Sequence, residues 1–343
     1  MSLVASPVLP MKHLSRFVAP LNDLAVIGIS GPDAAVFLHG QLTHDITGMA
    51  SDRARLAGYC TAKGRLLGSM VVWSGQKDDA SVLYALVKAD IASALIKRLS
   101  MFVLRAKVTL QLSSLKVLGI TVDHSCSDEN TASTDLLKHA AVISAQQKPW
   151  DVVRSAGGTW IAAPSDDRDT ARWWFVASDP GSPSVQAALE TTGNGADDEC
   201  WRAADIAAGL PWIDAATQDI FIPQTLNLDL IDGVSFTKGC YPGQEVVARS
   251  HYRGTVKRRM AYGIVAQAGD RSAGTLAGTD IYKTGSPDAP CGRIINAASC
   301  DSLHVLIEVQ LSDLPTQEFR LEKADGPVIE LLPLPYRTKV DSE

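Results

Sequence analysis

The stretch KGCYPGQEVVAR (residues 238–249) combines a thiol, several charged or amide side chains and two glycines in one short segment. Pro242 disfavours a continuous helix or a central strand at this point. Glycine lets the backbone bend tightly or approach a ligand closely. The pattern therefore predicts a loop that displays its polar side chains. The positions of this motif loop around the thiol are Gly239, Tyr241, Gly243, Gln244 and Glu245.

Cys240 is the thiol of this stretch. Lys238 precedes it and a run of cations follows it, and nearby positive charge favours the thiolate, which is the nucleophilic and metal-binding form of cysteine. The alternative is a small buried hydrophobic side chain at a plain turn, the commoner fate of a free cysteine. The motif alone leaves both interpretations open. The cations after Cys240 are Arg249, Arg253, Lys257, Arg258 and Arg259.

Length and composition limit the classes of protein that carry such a loop. A chain of 343 residues is too long for one ordinary core and predicts two or three domains. Its apolar fraction of 46% and charged fraction of 20% are typical of a globular protein. No apolar run reaches membrane-spanning length, and Pro7 and Pro10 interrupt the segment where a secretory signal would lie. We therefore expect a cytoplasmic protein without a membrane partner.

The cysteines are scattered and predict reduced thiols. They form no Cys-x-x-Cys pair, and His39 and His44 lie five residues apart without a third ligand nearby, so no metal site is expected. The net charge of −6 argues against a surface that coats nucleic acid, and no direct nucleic-acid partner is expected. The cysteines are Cys60, Cys126, Cys200, Cys240, Cys291 and Cys300.

The hydrophobic patterns indicate an α+β chain that ends in a small all-β domain. In the first part, an apolar stripe at helical spacing predicts a helix from residue 90 to about 100. Strands are predicted there at 24–29, 69–73, 82–87, 102–112 and 115–122. After Gly254, short strand candidates separated by Gly, Pro and Asp predict a barrel. These candidates are residues 260–265, 281–283, 303–309, 319–322 and 328–332.

Three separated blocks carry a family resemblance. The first two are FLHGQLTHDI (residues 37–46) and TAKGRLL (61–67). The third is the motif loop with FIPQ (221–224) and Asn227-Leu228 before it and YRG (252–254) and Lys257-Arg258 after it. Together these blocks closely resemble the YgfZ family. Proteins of this family are folate-binding factors that are similar in fold to the T-protein aminomethyltransferase of glycine cleavage. The resemblance covers nearly the whole chain.

The resemblance implies a three-domain aminomethyltransferase-like ring with a central folate channel and a C-terminal all-β barrel. The first α+β domain would comprise residues 15–44 and 112–250, the second residues 45–111, and the barrel residues 251–343. The implied cofactor is tetrahydrofolate or a one-carbon derivative, and the implied transient partners are iron–sulfur client enzymes.

The resemblance also implies site residues. Cys240, Asp45 and Lys238 would be catalytic, since Asp45 stands where an aspartate of the T-protein helps to activate the folate. The positions expected to hold the cofactor are Gln41, Asp45, Arg65, Gln224, Asn227, Arg249, Tyr252 and Arg253. Arg253 would clamp the glutamyl carboxylates with paired hydrogen bonds. A solvated hairpin edge is the favoured interpretation of Lys257 and Arg259.

One departure from the T-protein pattern concerns the pterin. A T-protein glutamate that recognises the pterin is replaced by Ala207 in the block DIAAG (205–209), which argues against authentic aminomethyl transfer. The leading hypothesis is a folate-binding factor that supports the synthesis or repair of iron–sulfur enzymes and, through them, tRNA modification. The alternatives are a folate-dependent aminomethyltransferase and, third, an RNA-binding module that uses the basic stretch 249–259.

Overall fold

A computed structural model of the chain describes residues 16–76, 79–123, 135–144, 147–191, 196–252, 256–266, 272–286 and 289–338. The helices are α1 (Ala34–His39), α2 (Ala89–Ser100), α3 (Asp135–Ile143), α4 (Pro183–Thr191), α5 (Ala196–Ala207) and α6 (Gln244–Tyr252). The strands of the first two sheets are β1 (Arg16–Pro20), β2 (Leu24–Ser30), β3 (Arg55–Cys60), β4 (Leu66–Gln76), β5 (Asp79–Lys88), β6 (Thr109–Leu112), β7 (Lys116–Asp123), β8 (Val152–Ser155), β9 (Gly158–Ala163) and β10 (Thr170–Ala177). The remaining strands are β11 (Arg258–Val265), β12 (Asp280–Lys283), β13 (Gly292–Ser299), β14 (Leu303–Gln310), β15 (Phe319–Leu321) and β16 (Val328–Leu332).

The first sheet is antiparallel, with the strand order β1-β7-β10-β9-β8. Successive side chains of its central strand β10 point to opposite sides of the sheet. Both sides are covered by hydrophobic clusters, so β10 is buried on both faces. Trp173 packs into one hydrophobic cluster with Trp160, whereas Trp174 packs into the large central cluster with Trp201. The two tryptophans of β10 therefore join this sheet to both of its neighbouring layers.

The second sheet has the order β3-β4-β5-β2-β6, and α2 packs against it through the predicted stripe. Ile91, Leu95 and Leu99 of that stripe are buried. The strands of this sheet do not follow the predicted domain boundary, which assigned residues 24–44 to the first domain. β2 pairs with β5 and β6, because the chain leaves the first sheet after the five residues of β1.

The expected C-terminal barrel is confirmed as a closed sheet with the order β11-β14-β13-β12-β15-β16. Sequence patterns missed β13, whose alternation is broken by a register shift between Ile294 and Asn296. The predicted strand at 102–112 was too long. Only its end forms β6, and Leu104 in the preceding segment is 85% exposed.

Two expectations about individual side chains were wrong. Cys200 and Cys300 form a disulfide between α5 and the turn after β13, so these two thiols are not reduced. The bond arises from the packing of α5 on the barrel, which brings together residues 100 positions apart. Arg259 is buried rather than at a solvated edge, and it binds Asp229 through two hydrogen bonds of 2.5 and 2.9 Å. Lys257 is exposed.

Within the described part of the chain, no helix is both long enough and apolar enough to cross a membrane.

Candidate functional site

The Lys238 side chain attaches the motif loop to the first sequence block. Its ammonium donates hydrogen bonds to the carbonyl oxygens of His39 and, at 2.8 Å, Leu42. It also lies 4.8 Å from the centre of the Tyr241 ring. Because His39 is the last residue of α1, the cation binds the negative end of that helix and satisfies a terminal carbonyl. Lys238 thereby fixes where the loop starts.

Two glycines attach the other end of the loop to the second block. Gly243 has φ +81°, and a Cβ atom there would lie 2.4 Å from the carbonyl oxygen of Thr61. Gly64 has φ +74°, and its Cβ would lie 2.9 Å from Cβ of Val246. Only glycine suits both the conformation and the approach. The three sequence blocks thus meet at one place.

The motif loop is shorter than predicted. Gln244 and Glu245 belong to the first turn of α6, and Arg249 lies on the same helix. Pro242 and Gly243 precede that helix, where proline does not interrupt its hydrogen bonds. The exposed Arg249 side chain donates to Glu245 at 2.8 Å. These two side chains form an ion pair on the exposed surface of α6.

Cys240 is a free, exposed cysteine. The alternative of a small buried hydrophobic residue at this position is therefore wrong. Burial lowers the pKa of the neighbouring Lys238 to about 8, although the charges of Asp45 and Cys240 act in the opposite direction. The three residues proposed as catalytic consequently lie within electrostatic range of one another.

Asp45 is held by a dense set of hydrogen bonds. Its Oδ1 atom accepts from the Gly48 amide and the Thr47 hydroxyl, both at 2.9 Å, and lies 2.9 Å from Nδ1 of His39. The Gly48 bond is the main cause that lowers the pKa of Asp45 to about 2, with contributions from Thr47 and His39. Asp45 is therefore ionised at neutral pH and acts as an acceptor, not as a proton carrier.

Two of the predicted cofactor residues are inside the protein. Gln224 and Asn227 are fully buried and donate to the carbonyl oxygens of Val247 and Met260, at 2.6 and 3.0 Å. The segment that carries them thus connects α6 with the barrel strand β11. These hydrogen bonds therefore fix α6, the helix that follows the motif loop.

The other predicted cofactor positions lie at separate places. Arg65 is exposed, donates to the Asp219 carbonyl at 3.0 Å and lines a pocket of about 360 Å³ at the barrel. Tyr252 is 68% exposed at the end of α6. Gln41 has a buried Oε1 atom with no hydrogen-bond partner. Arg253 lies outside the described residues.

A pocket of about 380 Å³ lies where the two sheets and the barrel meet. Asp23 and Lys88 form an ion pair of 2.5 Å in its wall, and Arg202 approaches the same carboxylate at 3.7 Å. Burial raises the pKa of Asp205 and Asp214. The pocket is lined by Asp23, Lys88, Ala89, Asp90, Glu199, Arg202, Asp205, Ile206, Trp212, Asp214, Ala273, Gly274, Ala277, Asn296 and Ala297.

Sequence reasoning missed this pocket. Among the described residues, its walls contain none of the positions predicted to hold the cofactor. The sequence signal for the pocket is the DIAAG block, where Ala207 replaces the T-protein glutamate. Asp205 and Ile206 of that block line the pocket, and Ala207 is buried beside them. The Asp205 carboxylate accepts from Arg172 at 2.7 Å and from the Trp212 indole at 2.9 Å.

Two antiparallel sheets and a closed barrel around a shared pocket define an aminomethyltransferase-like fold. The solved structure of glycine cleavage system aminomethyltransferase T from Bartonella henselae matches with a TM-score of 0.66, covering 94% of this chain and 86% of that chain at 11% identity. The tRNA-modifying protein YgfZ of Sodalis glossinidius is 30% identical over 346 residues, 96% of this chain and 95% of that protein. YgfZ of Cronobacter sakazakii is 30% identical over 336 residues, 97% of this chain and 95% of that protein. The chain belongs to the YgfZ family. No protein-family model matches it.

Proposed function

We propose that this protein binds tetrahydrofolate or a one-carbon derivative and uses Cys240 as a functional thiol in support of tRNA modification, through the synthesis or repair of iron–sulfur enzymes. The observation that carries the proposal is the exposure of Cys240 on a loop fixed by Lys238 and Gly243. Such rigid support for an exposed thiol favours a chemical role over a packing role. The tRNA-modifying relatives and the aminomethyltransferase-like fold support the same conclusion.

The residues of the pocket between the two sheets and the barrel fit the pterin ring of a reduced folate. Its volume lies within the range of small-molecule sites, about 300–1,000 Å³. Trp212 and Ile206 supply an apolar wall for a flat ring, and the carboxylates of Asp90 and Asp214 are acceptors for the N–H groups of a pterin. Arg202 pairs with Asp198 and Glu199 and lies 3.7 Å from Asp23, so its charge is already compensated and does not select a glutamate tail. A bound folate would supply a carried one-carbon unit.

Calorimetric titration with tetrahydrofolate and its formyl and methylene forms tests cofactor binding. Ala277→Phe places a bulky side chain in the pocket wall and is expected to weaken binding at least tenfold, about 1.4 kcal/mol. Absence of binding by the unmodified protein would refute the cofactor half of the proposal. Equal affinity of the Ala277→Phe variant would place the cofactor elsewhere.

Complementation of a strain that lacks the protein tests the thiol. Cys240→Ala is expected to bind folate normally but to leave the tRNA undermodified. Cys291→Ala is the matched control, because Cys291 is another free cysteine, half-buried at the barrel pocket. Full complementation by Cys240→Ala would show that the thiol has no role.

A folate-dependent aminomethyltransferase is the second candidate, and the likeness of the fold to aminomethyltransferase T favours it. Ala207 in place of the pterin-binding glutamate argues against it. Release of ammonia from a lipoyl-bound aminomethyl group by the purified protein, lost in the Ala277→Phe variant, would establish this activity. The third hypothesis, an RNA-binding module, predicts RNA binding that weakens steeply with salt.

A further inference from the structure

We infer that His39 accepts the proton of the Cys240 thiol and that Asp45 is the positioning residue for the His39 ring. This inference rests on the proposal that Cys240 is the reactive thiol. In the sequence His39 was considered only as a metal ligand, whereas its role here is that of a proton acceptor. The imidazole and the carboxylate are hydrogen-bonded to each other on the first block, and the thiol belongs to the motif loop that is attached to that block.

The hydrogen bonds at Nδ1 determine which ring nitrogen is free. Nδ1 lies 2.9 Å from Oδ1 of Asp45, and this ionised carboxylate can only accept, so Nδ1 carries a hydrogen. Thr47 donates to the same carboxylate and lies 3.2 Å from Nδ1, which places its oxygen as a second acceptor. The neutral ring therefore has its lone pair at Nε2.

Nε2 faces the motif loop. A Cβ atom at Gly239 would lie 3.6 Å from it, so the ring edge is beside the backbone that immediately precedes Cys240. Cys240 follows Gly239 directly, and adjacent Cα atoms are about 3.8 Å apart, so in the proposed step rotation of the Cys240 side chain carries the thiol to Nε2. Because Gly239 has no side chain, the space between its Cα atom and the His39 ring is not filled by this residue.

The loop is fixed to the same histidine from a second direction. The Lys238 ammonium binds the His39 carbonyl oxygen, and the backbone of Gly239 passes beside the ring of the same residue. Among the described residues, Asp45 forms an ion pair with the ring at 2.9 Å, and the Lys238 ammonium lies at the backbone of the same histidine. The His39 side chain is 22% exposed, so that the proton it receives can pass to water.

The proposed step is a proton transfer. The S–H bond of Cys240 breaks and an N–H bond forms at Nε2, which leaves a thiolate beside an imidazolium that Asp45 stabilises. With iodoacetamide as electrophile, the thiolate forms the S–C bond, iodide leaves, and the imidazolium returns its proton to water. No oxidant or metal takes part.

The rate of Cys240 alkylation by iodoacetamide between pH 6 and pH 10 tests this step. Mass spectrometry of the tryptic peptide that begins at Gly239 reports Cys240 separately from the other thiols. His39→Gln is expected to slow alkylation about tenfold near pH 7 and to have no effect near pH 10, where a thiol ionises unaided. Asp45→Asn is expected to slow it to a smaller extent. His44→Gln, which removes the ring that faces Asp232 at 3.2 Å, is the matched control with a rate within twofold of the unmodified protein.

The shape of the profile separates a proton acceptor from a merely structural residue. If His39 only supported the loop, the ratio of the alkylation rate of the His39→Gln variant to that of the unmodified protein would be the same at every pH. This result would overturn the inference. Equal rates for the His39→Gln variant and the unmodified protein would overturn it as well. Both measurements are independent of folate binding and complementation, so failure here is distinguishable from failure of the proposed function.

Discussion

Replacing Gly243 with alanine should displace the motif loop. The residue has φ +81°, a conformation that costs a residue with a Cβ atom about 1–2 kcal/mol. The added Cβ would also lie 2.4 Å from the Thr61 carbonyl oxygen, whereas an ordinary contact begins at 3.4 Å. One of the two backbones must therefore move by roughly 1 Å, and overpacking of this kind costs about 1–3 kcal/mol. The sum predicts a loss of about 2–5 kcal/mol.

Gly285→Ala separates the two contributions. Gly285 has φ +80°, almost the same as Gly243, but a Cβ atom there would have no neighbour within 4 Å. Its replacement should cost only the conformational part, about 1–2 kcal/mol. Denaturant titration of both variants measures the difference, which is the cost of pressing the loop against the second block.

Cys240 gives a second measurement on the same variant. If the loop moves, the Cys240 alkylation rate should change in Gly243→Ala and stay the same in Gly285→Ala. Equal destabilisation of the two variants, with unchanged alkylation in both, would refute the interpretation that the contact between Gly243 and Thr61 fixes the thiol.

Two further predictions concern the barrel and its attachment. Reduction of the Cys200–Cys300 bond should lower the free energy of unfolding by about 2–5 kcal/mol, because the bond joins residues 100 positions apart; equal denaturation midpoints with and without reductant would contradict this. Burial lowers the pKa of His304 to about 4, so the unfolded chain binds more protons than the folded one between this pH and about 6.5, and stability should fall as pH falls through that window. The pH slope of the melting temperature should be smaller for His304→Gln, and identical slopes would show that His304 does not cause it.

Local patterns in the sequence predicted the elements that depend on neighbouring residues. The stripe of Ile91, Leu95 and Leu99 identified α2, and the late strands identified the barrel. β13 was missed because a bulge interrupts its alternation near Ile294. The start of the second sheet was misplaced because β2 is set by its partners, β5 and β6, and these come much later in the chain.

In the candidate site, too, features set by neighbouring residues were predicted and features set by distant segments were not. The motif loop was predicted from Pro242 and the two glycines, since turn chemistry is local, whereas the exposure of its thiol was left open. The burial of Arg259 against Asp229 and the disulfide of Cys200 were not predicted, because both depend on contacts between distant segments. The place of His39 beside Gly239 is likewise invisible in one sequence, since 200 positions separate the two residues.

The pocket and the thiol differ in their nearest supports. Glu199 and Arg202, on α5, line the pocket, and Cys200 between them ties this helix to the barrel through the disulfide. Glu199 adds a hydrogen bond of 3.0 Å from the Ser299 amide across the same junction. The loop of Cys240 is instead fixed to the second sheet's domain by Lys238 and Gly243. Gln224 and Asn227 link α6 to the barrel strand β11, so the two supports are joined through the barrel. The buried pair of Arg259 and Asp229 adds a second link between this segment and the barrel strand β11.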